Sequence, residues 1–123
     1  QQQVDKLLQR INRVMENTDR IFSPDFSMAT LCREVGSNTK YVSMVINATY
    51  NKNFKTLLNE RRVREAARQL SAPGPHNSAT IQQLAFSLGY SSSTSFIIAF
   101  KKVMGMTPTV YRRLANERKE HVG

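Results

Sequence analysis

Apolar residues recur along this chain at helical spacing, in runs separated by turn-forming residues. Val4, Leu7, Leu8, Ile11, Val14 and Met15, closed off by Ile21 and Phe22, predict one helix over residues 1–22. Ser23-Pro24-Asp25 breaks it. Ser27 is placed to cap a short helix from Met28, and Gly36-Ser37-Asn38 is a turn. Val42, Val45 and Ile46 make the inner face of a helix that Asn38 or Thr39 can cap and that runs to about Tyr50. Leu57, Leu58, Val63, Ala66, Ala67 and Leu70 predict a long helix from Phe54 to about Leu70. Ala72-Pro73-Gly74-Pro75-His76-Asn77-Ser78 is a loop. Helices over about 80–88, capped by Thr80 or Ser78, and over about 93–104 follow, the second ending at Gly105. Pro108 opens a last helix with Tyr111 and Leu114 turned inward, and the residues after Ala115 form a charged, fraying tail.

The pattern repeats. Met28-x-x-Leu31-Cys32-x-x-Val35-Gly36, then Val42, Val45 and Ile46, answers to Ile81-x-x-Leu84-Ala85-x-x-Leu88-Gly89, then Phe96, Ala99 and Phe100. The offset is 53 up to the glycine and 54 after it, so the second turn carries one extra residue. Each copy is two short amphipathic helices joined by a tight turn, a helix-turn-helix pattern. Cys32 and Ala85 are small enough for the two helices to cross closely, and each glycine supplies the positive φ of a sharp turn. The expected fold is all-α, with seven helices in two helix-turn-helix subdomains bridged by a long linker helix. Its segments are an N-terminal helix and first helix-turn-helix (1–53), the linker helix (54–71), a loop (72–79), a second helix-turn-helix with closing helix (80–116) and a charged tail (117–123).

Charge adds a partner class. Over 123 residues the formal net charge is +9, as expected of a chain that meets a polyanion. No Asp or Glu lies between Glu65 and Glu117, while Arg68, Lys101, Lys102, Arg112 and Arg113 do. The single cysteine, Cys32, allows no intrachain disulfide and falls at a core position, which fits a reducing cytosol. No apolar run is long enough to cross a membrane. The chain starts with Gln1, as expected of a processed product or a fragment of something longer.

Three segments resemble one family. Phe100-Lys101-Lys102-x-x-Gly105-x-Thr107-Pro108-x-x-Tyr111-Arg112 resembles the C-terminal signature of the AraC/XylS transcription regulators. Ile81-x-x-Leu84-Ala85-x-x-Leu88-Gly89-Tyr90-Ser91 is similar to the lead-in of that family's second helix-turn-helix, and Phe54-x-x-x-Leu58-Asn59-x-x-Arg62-Val63-x-x-Ala66 resembles its linker helix. The resemblance spans about residues 21–114. It implies a bilobed DNA-binding domain in which one recognition helix per lobe enters adjacent major-groove segments. Residues 1–22 and 42–66 also look like a subgroup fused to sensory modules, often membrane-anchored or of hybrid two-component type.

With that implied fold, the recognition helices lie near 39–50 and 93–104. The first presents Thr39, Lys40, Ser43, Met44 and Asn47 opposite its core face. Lys40 suits guanine or phosphate, Ser43 either base edge, Met44 a thymine methyl, and Asn47 adenine or the backbone. The second presents Ser92, Ser93, Thr94, Ile97, Ile98, Lys101 and Lys102. Its hydroxyl-rich start suits phosphate, because free N–H groups and the helix dipole converge there. Ile97 and Ile98 depart from the family's polar, aromatic or basic side chains, and consecutive residues point ~100° apart, so at least one is exposed. On the linker helix, Arg61, Arg64 and Arg68 share a stripe that either touches phosphate or makes local pairs such as Glu60–Arg64 and Glu65–Arg68. Arg62 matches the family's linker arginine, which looks structural.

Catalysis has no candidate. His76 and His121 lie far apart in sequence, Ser91–Ser95 has no partnered His or Asp, and no metal-ligand spacing exists, so no cofactor is expected. The expected partner is double-stranded DNA, with RNA polymerase a further one, in the cytoplasm. The fragment is expected to be monomeric and part of a larger sensory or dimerising protein. RNA binding lacks a platform of stacking aromatics. A protein-docking module built on Met44, Ile97 and Ile98 is the competing reading.

Overall fold

Asn17 divides what the apolar spacing joins. Its side-chain carbonyl accepts the Asp19 N–H at 3.1 Å, and its extended backbone ends one helix and caps the next. The computed structural model describes residues 2–73 and 78–122. Among these it contains eight helices rather than seven: α1 (Gln2–Met15), α2 (Thr18–Ile21), α3 (Met28–Val35), α4 (Thr39–Tyr50), α5 (Phe54–Ser71), α6 (Ile81–Ser87), α7 (Ser93–Met104) and α8 (Pro108–Val122). The all-helical class stands; the count changes at Asn17. His76 lies outside the described residues, as does the side chain of His121.

The chain forms two compact units, Gln1–Leu58 and Asn59–Gly123. In the first, α1 packs against α2, α3 and α4. Ile11, Met15, Leu31, Val42 and Ile46 are fully buried at its centre. Phe26 and Phe54 stack at 5.9 Å between ring centres, and the Tyr50 hydroxyl donates to Asn12 Oδ1. Of the apolar residues on α1, Val4 is 43% exposed and stays outside this core. Cys32 is buried, its thiol 3.9 Å from the Thr39 hydroxyl.

The second unit is built on a run of rings. Tyr90, Phe96, Phe100 and Tyr111 follow one another at 5.5, 5.8 and 5.5 Å between centroids. Such tilted and edge-on pairs add to the stabilisation from simple burial. Val63 and Leu70 of α5, with Leu88 and Pro108, are fully buried as well. Arg112 Nη1 donates to the Ala79 carbonyl at 2.6 Å and ties α8 to the chain entering α6. Leu114, expected inward, is 44% exposed: Tyr111 makes the contact with Phe100, and the next turn of α8 is already at the surface. Helix α8 also continues through the charged residues to Val122, with Arg113 and Glu117 4.0 Å apart at i, i+4.

The repeat is legible bond by bond. Ser27 and Thr80 occupy equivalent caps; the Ser27 hydroxyl accepts the Thr30 N–H, and Thr80 makes a reciprocal capping box with Gln83. The turns then close alike: Ser37 N–H to the Cys32 carbonyl and Tyr90 N–H to the Ala85 carbonyl, both 3.0 Å. Gly36 has φ 69° and Gly89 φ 96°, a region that penalises a Cβ. Tyr90 stands at the position of Ser37 and is buried where Ser37 is partly exposed, and the extra residue of the second turn, the exposed Ser91, follows it. Asn38 and Ser92 cap α4 and α7, and Asn51 (φ 56°) and Gly105 (φ 79°) end them in the left-handed region.

Candidate nucleic-acid interface

Helices α4 and α7 bury equivalent residues. Val42, Val45 and Ile46 go inward in α4, and Phe96, Ala99 and Phe100 do so in α7. Helical geometry then fixes what points outward. In α4 the outward residues are Lys40, Met44 and Asn47, all exposed, flanked by Thr39 (exposed) and Ser43 (half-buried). In α7 they are Thr94, Ile98 and Lys101, all exposed, with Lys102 exposed and Ser93 half-buried at the edges. The three outward positions correspond, Lys40 to Thr94, Met44 to Ile98 and Asn47 to Lys101. Each set has an apolar side chain at its centre, Met44 at 50% exposure and Ile98 at 64%, with hydrogen-bonding or cationic groups on either side. Neither helix contains an Asp or Glu.

The adjacent isoleucines separate as helical geometry requires: Ile97 is half-buried and Ile98 exposed. Ser92 is committed to the cap. Its hydroxyl accepts the Ser95 N–H at 3.1 Å and donates to Ser95 Oγ at 3.0 Å. Ser93 and Thr94 are therefore the hydroxyls with greater freedom at the start of α7.

The arginines of α5 meet different fates. Arg61 is half-buried and Arg64 exposed. Arg68 pairs with Glu65 through two bonds of 2.8 and 2.6 Å, which raises its pKa and makes it the local pair foreseen for that position. Gln69 donates to the same carboxylate. Arg62 is buried, its guanidinium 5.2 Å from the centre of the Tyr90 ring. Desolvation lowers the Arg62 pKa and pushes Tyr90 up to about 12, each partly offset by the other's charge. The Tyr90 hydroxyl donates to Asn59 Oδ1 at 2.8 Å. Arg62 is thus a structural residue of the second unit.

Sequence reasoning missed a groove in the first unit, where α1 passes the start of α4. Lys6 and Arg10 of α1 line it with Tyr41, which is 50% exposed. The i, i+4 spacing of the two cations was visible, but only the packing of α1 on α4 brings them beside Tyr41. Among the described residues no group of His, Cys, Asp and Glu could hold a metal ion, and no helix is long and apolar enough to cross a membrane.

Known proteins agree with this architecture. The family profile described as a helix-turn-helix domain matches residues 31–114. An uncharacterized HTH-type transcriptional regulator of Staphylococcus aureus is 28% identical over 103 residues, covering 84% of this chain and 13% of that protein. The chain therefore spans only a small part of that relative's length. The C-terminal domain of AraT, a response regulator from Geobacillus stearothermophilus, superposes with a TM-score of 0.74 at 24% identity, covering 89% of this chain and 84% of that one. The DNA-binding domain of AdpA, a global transcriptional factor solved in complex with a target DNA, gives a TM-score of 0.69 at 16% identity, with 94% of each chain covered. With its doubled motif inside a profile that takes in well over half of the sequence, the chain belongs to the helix-turn-helix domain family, in its AraC-type branch.

Proposed function

We propose that this chain is the DNA-binding domain of a transcription regulator and reads a preferred duplex sequence through the outward faces of α4 and α7. The observation that carries the reading is the doubled face: two equivalent, acid-free helix surfaces on a chain of net charge +9. An α-helix is ~10–12 Å across with its side chains, and the major groove is ~12 Å wide. Lys40 then reaches guanine or phosphate, Ser43 either base edge, and Asn47 adenine or the backbone. Met44 and Ile98 pack on thymine methyls. Thr39, Ser93 and Thr94, with the N–H groups at the helix starts, face phosphates, and Ser92 serves them by capping α7. Lys101, Lys102 and Arg61 add backbone contacts.

Its relatives, a transcriptional regulator and a domain solved on its target DNA, support this reading. A sensory or dimerising part in a larger protein belongs to the same proposal, as do a monomeric state for this domain alone, action in the cytoplasm and a contact with RNA polymerase. Regulators of this kind bind rather than catalyse.

Selection of binding sites from a random duplex library at two salt concentrations tests the proposal. The expected product is one motif with two short blocks. If about six phosphates are neutralised, affinity falls roughly 10³-fold between 50 and 200 mM salt. Lys40→Ala with Ser43→Ala erases the block read by α4. A single block would mean that α7 only holds the backbone; salt-sensitive binding with no enriched motif would overturn sequence reading by this domain. The exposure of Ile98 favours one other reading, a docking face for polymerase or a sister subunit through Met44, Ile97 and Ile98. That reading predicts no duplex binding even at low salt.

A further inference from the structure

We propose that the groove between α1 and α4 is a phosphate-binding flank of the recognition face, in which Lys6 and Arg10 hold the DNA backbone alongside α4. The proposal rests on the DNA-binding reading above and extends it to a helix outside the helix-turn-helix motif. Helix α1 supplies Gln3, Lys6 and Arg10, the turn before α4 supplies Ser37, and α4 itself supplies Tyr41 and Met44. The groove encloses about 480 Å³, room for many waters at ~30 Å³ each, so it is a surface feature and not a packing fault.

Chemistry and position both point to a phosphodiester. Two cations line the groove and no lining residue is acidic. The polar groups around them are all able to donate: the Gln3 amide and the Ser37 and Tyr41 hydroxyls. Lys6 and Arg10 stand at i, i+4, so one face of α1 presents both. The groove also shares residues with the proposed reading face, since Met44 lies at the centre of that face and Tyr41 on its flank. A helix seated in a major groove of ~12 Å has one sugar–phosphate strand along each side, within reach of its flanking side chains. The flank of α4 that bears Tyr41 is the one beside the α1 cations, so the strand on that side runs past the groove mouth. Contacts made there fix register and add affinity without selecting bases. An acidic protein segment would satisfy the charges equally; the shared edge with α4 favours DNA.

The test uses the full chain, fluorescence anisotropy, and two duplexes, one selected and one random, across a salt series. Lys6→Ala with Arg10→Ala is expected to weaken both duplexes by the same factor, roughly 30-fold near 0.1 M salt, and to make the salt slope shallower by about two. Arg33→Ala, on an exposed position of α3 outside the groove, is expected to bind as the parent does. Arg10→Lys restores most of the slope. Both α1 side chains are exposed, so the melting temperature should not move. Parent-like affinity and slope in the double variant would overturn the proposal and leave the groove to an acidic protein segment. Weakening confined to the selected duplex would overturn it too, because it would mean base reading. If the parent chain binds neither duplex, the DNA-binding reading itself fails, an outcome distinct from both.

Discussion

Ile98→Asp is expected to weaken binding to the selected duplex about 100-fold while leaving the fold intact. Ile98 is 64% exposed, the highest value among the large apolar residues described, so its side chain contributes little to the core. It stands at the centre of the α7 outward face, between Thr94 and Lys101. On the proposed reading the aspartate acts twice: it removes an apolar contact to a thymine methyl and sets a negative charge among base acceptors and phosphates, effects taken together as comparable to losing one or two base contacts of ~1–3 kcal/mol. Their sum of ~3 kcal/mol is about two decades in affinity. Ile98→Ala removes the contact without adding the charge and should cost about tenfold. Anisotropy titration gives the affinities, and a thermal melt checks the fold, where a surface change should stay within ~0.5 kcal/mol. Parent-like binding by Ile98→Asp would remove α7 from the DNA and leave sequence reading to α4 alone.

The repeat, the caps and the outward faces were legible because they are local. Ser27, Thr80 and Asn38, and the glycines after α3 and α6, act within a few residues of themselves, whereas Ser92, expected only to face phosphate, turns out to cap α7. Once Val42, Val45 and Ile46 are inward, Lys40, Met44 and Asn47 must be outward. The errors arose where a local bond or a tertiary surface overrode the apolar spacing. Ile21 and Phe22 continue the rhythm of α1, but the Asn17 cap interrupts it. Leu114 continues the rhythm of α8, but Tyr111 already occupies the contact with Phe100. The groove beside Tyr41 depends on where α1 docks, and no spacing within α1 encodes that. Arginines that look alike in sequence were the hardest to sort. Arg62 is buried, Arg68 pairs with Glu65, and Arg112 holds the Ala79 carbonyl.

Arg62→Ala is expected to destabilise the second unit by about 3 kcal/mol, the largest stability effect of any charged residue in it. The guanidinium lies 5.2 Å over the Tyr90 ring with only 6% of the residue exposed. A desolvated cation–π contact is worth ~2 kcal/mol, and the buried aliphatic stem adds packing that alanine lacks. Arg62→Lys should not restore stability, because a compact ammonium cannot lie flat on the ring. Arg61→Ala, one residue away and half-buried, should cost ~0.5 kcal/mol or less. The pH dependence identifies the ring. Below about pH 10 Tyr90 is neutral in both folded and unfolded chains. Between 10 and about 12 the unfolded chain loses the proton that the folded chain keeps, so stability falls as pH rises through that window. Tyr90→Phe keeps the aromatic face, removes that decline, and costs only the bond to Asn59, ~1 kcal/mol. Urea unfolding of the four variants between pH 7 and 11 reads all of this. Should Arg62→Ala prove as stable as the parent, the desolvation of the cation cancels its attraction to the ring, and Arg62 would have to be explained by what it does to the conformation of the Gly89–Ser92 turn instead.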